Sequence, residues 1–285
     1  ILISELLFLA AFAAMALLRA FNPDLWQPYW GGEKPFEFGF LNAILRSPVM
    51  PPYDPFFSNG AINYYYYGLF LASLPIKATG INPAVGFNLV IATLFALTFG
   101  GACAVVARLT GRMRYGLAGG VAVALLGNLA AAFPVGWGAG LGPVRDALKG
   151  GLAGFGTRLD AWFVGPSRVI IVPDKLITIN EFPFWSYLFA DLHPHLIAMP
   201  IALLVIALAY ELFSAQPLIR GRRGLVPIGA RWLLAALALG ALAERGRWGA
   251  GLAWVLVAAV ALQGTALWLA ATFGDGKLSL TPLTH

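Results

Sequence analysis

The sequence predicts an all-α polytopic membrane protein, with about six transmembrane helices and with interfacial or re-entrant helices in two large external loops. Three observations predict this fold class. Of the 285 residues, 59% are hydrophobic. Only 11% are charged, whereas a soluble domain carries about 25%. Several apolar runs approach the roughly 20 residues that a membrane-spanning helix needs. The lipid bilayer is therefore the expected partner, and residues 1–285 are expected to form one integral membrane domain.

The charged residues indicate membrane orientation rather than nucleic-acid binding, so no nucleic-acid partner is expected. The net charge of +6 arises from 19 basic and 13 acidic residues, and the basic ones fall mostly between apolar runs. Cys103 is the only cysteine, which excludes an intramolecular disulfide. Because the chain begins at Ile1 with no Met and no cleavable signal sequence, we expect a retained first helix and a longer natural chain.

The first element is an apolar run, residues 1–18, long enough to cross a hydrocarbon core of about 30 Å. A polar, aromatic loop follows over residues 21–62. Its Asp24 must lie close to the membrane surface and is either a capping residue or a catalytic carboxylate. Simple solvation is expected for at least one of Glu33 and Glu37.

Residues 50–68 are the densest part of this loop. Three prolines within this stretch cannot lie inside a continuing helix, and Asn59-Gly60 is typical of a turn. Four consecutive tyrosines, Tyr64–Tyr67, follow Asn63. Tyrosine rings settle where membrane meets water, so these side chains form either an aromatic belt or a substrate-facing surface.

Basic residues predict which side of the membrane each loop occupies. Residues 64–79 are short and contain Pro75 and Lys77, so we expect them not to cross. The span at residues 84–107 then ends in a cytoplasmic Arg cluster, Arg108–Arg114. Residues 117–133 return outward and are rich enough in glycine for close helix packing.

The second external loop, residues 134–194, ends in the one segment where carboxylates and histidines cluster. This segment contains Glu181, Asp191, His193 and His195. Asp191, His193 and His195 either hold a divalent metal ion, or Asp191 and His193 cap the next helix. Residues 196–213 return inward to a second cytoplasmic Arg cluster, Arg220–Arg231. Further apolar segments lie at residues 232–243 and 251–273.

At the two external loops the sequence is similar to the "YYY" family of prokaryotic multi-spanning membrane proteins, a domain of unknown function named for its tyrosine triplet. The first likeness comprises Pro51-Pro52-Tyr53-Asp54-Pro55 and Ile62-Asn63-Tyr64-Tyr65-Tyr66. The second runs from Ile179-Asn180-Glu181-Phe182-Pro183 to Asp191-Leu192-His193-Pro194-His195. The resemblance covers residues 22–200. After Gly240-Ala241-Leu242 the sequence lacks the family's Asn-x-Trp-Asp-like motif, so the C-terminal third is either a divergent copy or part of a larger protein.

That family resembles the C-superfamily membrane glycosyltransferases, which take a sugar from a polyprenyl-phosphate carrier. The resemblance implies sugar transfer from such a donor to an acceptor on the external face of the prokaryotic plasma membrane. The expected catalytic residues are Asp24, Asp54, Glu181, Asp191 and His193, with Asp24 as the base. The expected substrate-binding residues are Asn63, Tyr64, Tyr65, Tyr66, Tyr67 and Arg168, and Lys175 is a further candidate for phosphate. A divalent metal ion is the candidate cofactor. A transporter or channel, and a non-catalytic membrane subunit, are the alternative functions.

Overall fold

The protein is all-helical in the part of the chain that the computed structural model describes, which is residues 2–26, 32–128, 165–170 and 179–214. The α-helices in these ranges are α1 Leu2–Phe21, α2 Lys34–Arg46, α3 Tyr66–Thr79, α4 Pro83–Thr110, α5 Met113–Ala124, α6 Pro183–Phe189 and α7 Pro194–Ser214, with a 3₁₀ turn at Gly165–Ser167. In these ranges, one isolated antiparallel β-bridge pairs Tyr53 with Ala61. The chain divides into two compact units, Ile1–Met199 and Pro200–His285, and every described candidate site residue lies in the first.

In the described part of the chain, α1 and α4 are the helices long and apolar enough to cross a membrane. The start of α4 is capped by Asn82, whose side chain accepts the N–H of Ala84 at 2.9 Å. Pro83 suits the first helical position because no N–H is needed there. At its other end α4 stops before Gly111, which has a φ of 68° and so takes the left-handed conformation that glycine tolerates.

Polar contacts join the end of α1 to the start of α4. Arg19 Nε donates to Asn88 Oδ1 at 2.8 Å, and Asn88 Nδ2 donates to the Pro23 carbonyl at 3.2 Å. Residues 22–82, with α2 and α3, therefore leave and return at the same end of the α1–α4 pair. The 14 residues of α3 extend about 21 Å, less than a hydrocarbon core of about 30 Å. The structure thus agrees with the expectation that residues 64–79 do not cross.

Close packing of α5 along α4 depends on glycine. A Cβ at Gly116 would lie 2.6 Å from the Cys103 carbonyl oxygen, and a Cβ at Gly120 would lie 3.1 Å from the Phe99 carbonyl oxygen. The first separation is too short for a real side chain, and a Cβ at Gly120 would also collide with Cys103 Sγ, so the two glycines allow the backbones to approach. The expected glycine-mediated packing is confirmed.

The predicted return segment, residues 117–133, is described only as far as residue 128. Its helical part lies in α5, which ends at Ala124. Beyond it, a Cβ at Gly127 would lie 2.5 Å from the Phe182 ring. The segment that precedes α6 therefore packs closely at a position that only glycine leaves open.

α6 is fixed against α4 by one buried tyrosine. The Tyr187 hydroxyl lies 2.6 Å from Thr98 Oγ1 and donates to the Leu94 carbonyl at 3.2 Å. Its ring meets Phe95 edge to face, with 5.2 Å between centroids. These contacts set the position of the turn between α6 and α7, which carries the histidine motif.

Several predicted segments can be placed only in part. The predicted return helix at residues 196–213 lies within α7. Residues 134–164, Lys175, Arg220–Arg231 and the apolar segments at 232–243 and 251–273 lie outside the described residues.

Candidate functional site

The candidate site begins where the entry to α2 packs against the turn between α6 and α7. Gly32 has a φ of +60°, and a Cβ there would collide with the Phe189 ring and lie 2.9 Å from Asp191 Oδ2. Glycine meets both demands. The next residue, Glu33, donates its backbone N–H to Asp191 Oδ2 at 3.0 Å. The two predicted loop segments therefore meet directly at this point.

Glu33, Tyr64 and His193 form the exposed layer of this junction. The Tyr64 hydroxyl donates to Glu33 Oε2 at 3.2 Å and lies 3.2 Å from His193 Nε2. Glu33 Oε2 and His193 Nε2 are themselves 3.2 Å apart, and these side chains are 53% and 32% exposed. Burial and the nearby Glu33 charge raise the pKa of Tyr64, so its phenol keeps the proton. The expected convergence of the tyrosine and histidine motifs is thus observed for Tyr64 and His193.

Aromatic packing holds Tyr64 in place. Its ring meets Phe36 edge to face at 5.5 Å and Phe40 at 5.6 Å, and Phe36 stacks on Phe56 at 4.8 Å. Pairs of this kind contribute about 0.5–1.5 kcal/mol beyond the area they bury. The position of the Tyr64 hydroxyl is therefore set by α2 before any ligand binds.

Glu37 lies beneath the exposed layer, one helical turn beyond Glu33. It is 1% exposed, and both of its carboxylate oxygens are buried without a hydrogen bond of good geometry in the described residues. The same is true of Asp191 Oδ1. Burial raises the pKa of Glu37 well above its ordinary value. The Asp191 carboxyl and the Glu33 charge add to this rise, while the Leu192 backbone opposes it. The expectation of simple solvation for at least one of the two glutamates fits Glu33, whose side chain is exposed, and does not fit Glu37, which is buried.

Two cations are buried beside these carboxylates. Arg19 and Lys34 are 5% and 6% exposed, and Lys34 Nζ lies 4.9 Å from the centre of the Phe189 ring. Burial and the Arg19 charge lower the pKa of Lys34, whereas the charges of Asp191, Asp24 and Glu37 act in the opposite direction. Buried charges of both signs compensate one another, so the junction is a mixed cluster rather than an acidic patch.

A hydrogen-bonded chain extends from His193 to Glu181. His193 Nδ1 lies 3.0 Å from His195 Nδ1, and His195 Nε2 lies 2.7 Å from Glu181 Oε2. Ser186 Oγ also donates to Glu181 Oε2, at 2.8 Å. Burial acts to raise the pKa of Glu181, but the hydrogen bond and charge of His195, with the Ser186 hydroxyl, together lower it. Glu181 thus supports the histidines from the side away from Tyr64.

Asp24 and Asp54 both make turn hydrogen bonds. Asp24 Oδ1 accepts the N–H of Trp26 at 3.0 Å, and Asp54 Oδ1 accepts the N–H of Phe56 at 2.8 Å. Asp24 is exposed, and its charge acts on Lys34, so it adjoins the cluster. Asp54 belongs to the turn around Asn59, whose φ of 62° confirms the predicted turn.

The other predicted substrate-binding residues lie in different environments. Asn63 and Tyr65 are exposed, whereas Tyr66 and Tyr67 are half-buried in the first turn of α3. The Tyr65 ring meets Tyr64 at 5.1 Å. Arg168 Nη1 donates to the carbonyl and to the hydroxyl of Ser167, at 3.0 and 2.6 Å. Of this group, Tyr64 takes part in the junction with Glu33 and His193.

Reasoning from the sequence missed the buried layer of the site. It did not select Arg19 or Lys34 and did not place Glu37 among the site residues. One signal was available, since Glu33 and Glu37 are four residues apart and therefore share a helix face. No local sequence pattern indicates that the turn carrying Asp191 buries Glu37.

The group of residues best placed for a metal ion also differs from the predicted one. In the described ranges, the ligand atoms of Glu33, Glu37 and His193 all lie within 4.8 Å of one another. Of the predicted ligands Asp191, His193 and His195, only His193 belongs to this group.

Comparison with known proteins identifies a family. A family model described as "Uncharacterized membrane protein (DUF2298)" matches residues 1–276. No curated protein matches the chain, and no solved structure matches it. The match confirms the predicted membrane location.

Proposed function

The chain belongs to this family of uncharacterized membrane proteins, and we propose that it transfers a sugar from a polyprenyl-phosphate-linked donor to an acceptor. The reaction takes place at the external face of the prokaryotic plasma membrane, on a scaffold of about six spans like that of the C-superfamily glycosyltransferases. One observation carries the proposal. Two external segments far apart in the chain meet at the end of α1 and assemble carboxylates, a histidine, a tyrosine and two buried cations.

The chemistry of the transfer requires two kinds of group. The acceptor attacks the anomeric carbon, a new bond to the sugar forms, and the bond between the sugar and the phosphate oxygen breaks. The acceptor's proton passes to a carboxylate. General-base catalysis of this kind typically raises the reaction rate by about 10²–10⁴-fold. The polyprenyl phosphate leaves with negative charge, which needs hydrogen-bond donors or cations.

Asp24 is the proposed base. It follows the end of α1 directly, and its side chain is exposed. The N–H of Trp26 fixes the orientation of its carboxylate through Oδ1. Glu33, in contrast, contacts both the Tyr64 hydroxyl and His193 through the same oxygen.

The phosphate and the sugar are assigned to the exposed layer beside Asp24. The half-exposed His193 ring borders this layer, and the buried charges of Lys34 and Arg19 make the local potential more positive, which favours a phosphate. The exposed Tyr65 ring and the Asn63 amide suit stacking and hydrogen bonding with a sugar.

The orientation of α4 supports an external site. The site adjoins the start of α4 through Asn88, and the 28 residues of this helix extend about 42 Å. Arg112 and Arg114 follow its far end, where basic residues favour the cytoplasm. The external loops at residues 21–62 and 134–194 are therefore assigned to the opposite side from these arginines.

The charge distribution favours an enzyme over a transporter. Transport pathways usually place ionisable residues deep within membrane spans. In α1 and α4, the charged residues occupy terminal turns: Glu5, Arg19 and Arg108. The two described spans therefore carry no charged pathway of that kind.

The test is sugar transfer by the purified protein in proteoliposomes. A radiolabelled sugar is supplied on polyprenyl phosphate, and in a parallel reaction on a nucleotide. We expect label to enter a new product from the lipid-linked donor. Label that crosses the bilayer unchanged would instead favour a transporter, and label that stays on every lipid carrier tested would favour a non-catalytic subunit.

A further inference from the structure

We propose that Glu33, Glu37 and His193 bind a divalent cation. One ligand atom from each residue lies within 4.8 Å of the other two. In a tetrahedral site with bonds of about 2.1 Å, the ligand atoms are about 3.4 Å apart. The longest of the three separations therefore needs to shorten by at most about 1.4 Å, and the half-exposed Glu33 side chain has room for that movement.

The environment of Glu37 is independent evidence for a bound ligand. The side chain is 1% exposed, and neither carboxylate oxygen makes a hydrogen bond of good geometry in the described residues; the polar groups close to it are the Asp191 carboxyl and the Leu192 backbone. Buried polar atoms are almost always paired. The buried Lys34 directs its ammonium group over the Phe189 ring, 4.9 Å from the ring centre. A cation between Glu37, Glu33 and His193 would give the Glu37 oxygens the partner they lack.

The histidine chain leaves the correct nitrogen for metal binding. If His193 Nδ1 donates to His195 Nδ1, at 3.0 Å, then His195 Nε2 donates to Glu181 at 2.7 Å. His193 Nε2 then presents a lone pair 3.2 Å from the Glu33 oxygen, and the single Tyr64 proton can satisfy one of those two acceptors. A cation satisfies both. Hydrogen bonding of the second ring nitrogen is also how metal-bound histidines are oriented.

The donor set indicates the kind of cation. Two carboxylate oxygens and one imidazole nitrogen suit Mn²⁺ or Zn²⁺ better than the oxygen-only preference of Ca²⁺ or Mg²⁺. Cation binding is independent of the proposed sugar transfer, since it is measured without donor or acceptor.

The experiment is titration of the purified full chain, stripped with a chelator, with Mn²⁺ and separately with Zn²⁺ by calorimetry. We expect saturable binding that Glu33→Gln, Glu37→Gln and His193→Ala each weaken at least about 10-fold, the loss seen even for outer-sphere partners. Asp54→Asn, which alters an exposed-loop turn carboxylate, is the matched control and should leave the affinity unchanged.

Glu33→Gln decides the outcome, because a half-exposed side chain can be changed without disturbing folding, as an unaltered melting temperature would verify. Failure of the wild-type protein to bind either metal overturns the proposal. Binding that Glu33→Gln leaves intact also overturns it. Loss of binding in Glu33→Gln, with the Asp54→Asn control intact, supports it.

Discussion

Tyr64→Phe combined with His193→Ala tests whether the tyrosine segment and the histidine segment meet. The Tyr64 hydroxyl lies 3.2 Å from His193 Nε2 and 3.2 Å from Glu33 Oε2. A hydrogen bond contributes about 0.5–1.5 kcal/mol to stability, and the exposure of Glu33 reduces its share. Each single change should therefore lower the free energy of unfolding. The double change should lower it by about 0.5–1 kcal/mol less than the sum of the two, because both changes remove the same contact.

The assay is reversible unfolding in mixed micelles, followed by tryptophan fluorescence. Tyr65→Phe is the matched control, since it removes the same atom from the neighbouring tyrosine, which is exposed. Its effect should add to that of His193→Ala within about 0.3–0.5 kcal/mol. A coupling free energy for Tyr64 and His193 no larger than that of the control pair would refute the convergence of the two segments.

Three further predictions follow from single features of the structure. Gly32→Ala should destabilise the protein by at least about 1–2 kcal/mol, which is the cost of a left-handed backbone for a residue with a Cβ. The new Cβ would also collide with the Phe189 ring. Thermal unfolding measures the loss of stability, and an unchanged melting temperature would contradict the prediction. Glu181 has a lowered pKa in the folded state, so the stability it contributes is present above about pH 4.5 and is lost as the pH falls through the folded-state pKa. Glu181→Gln should therefore show a smaller difference in melting temperature between neutral and acidic pH than the wild-type protein. The same difference in both proteins would count against the Glu181–His195 pair. Single cysteines at Ser58 and Arg112 should react with an impermeant reagent from opposite sides of the membrane, and reaction from the same side would overturn the topology.

Much of the fold could be predicted because its causes are local. Apolar runs predicted α1 and α4, and glycines predicted the close packing of α5. The Arg clusters and the shortness of the segment at residues 64–79 predicted that this segment does not cross the membrane. The pairing of Arg19 with Asn88 agrees with that prediction.

The site could be predicted only in its outline. The two motifs were visible in the sequence, but their contacts depend on α6 docking against α4 through Tyr187. That docking buries Glu37, which a loop position alone presents as a solvated residue. The same distinction applies to the histidines, because spacing along the chain favoured His195 as a metal ligand, whereas its ring is directed to Glu181. Contacts between residues distant in sequence decide burial, and a local pattern carries no record of them.

The most direct test of the proposed function is the single-turnover rate of sugar transfer by Asp24→Asn, from a radiolabelled polyprenyl-phosphate donor. Asparagine retains the size of the side chain and the Oδ1 that accepts the Trp26 N–H, so the melting temperature should not change. Loss of the proton acceptor should lower the rate about 10²–10⁴-fold. A stable Asp24→Asn protein that transfers sugar at the wild-type rate would contradict the assignment of Asp24 as the catalytic base.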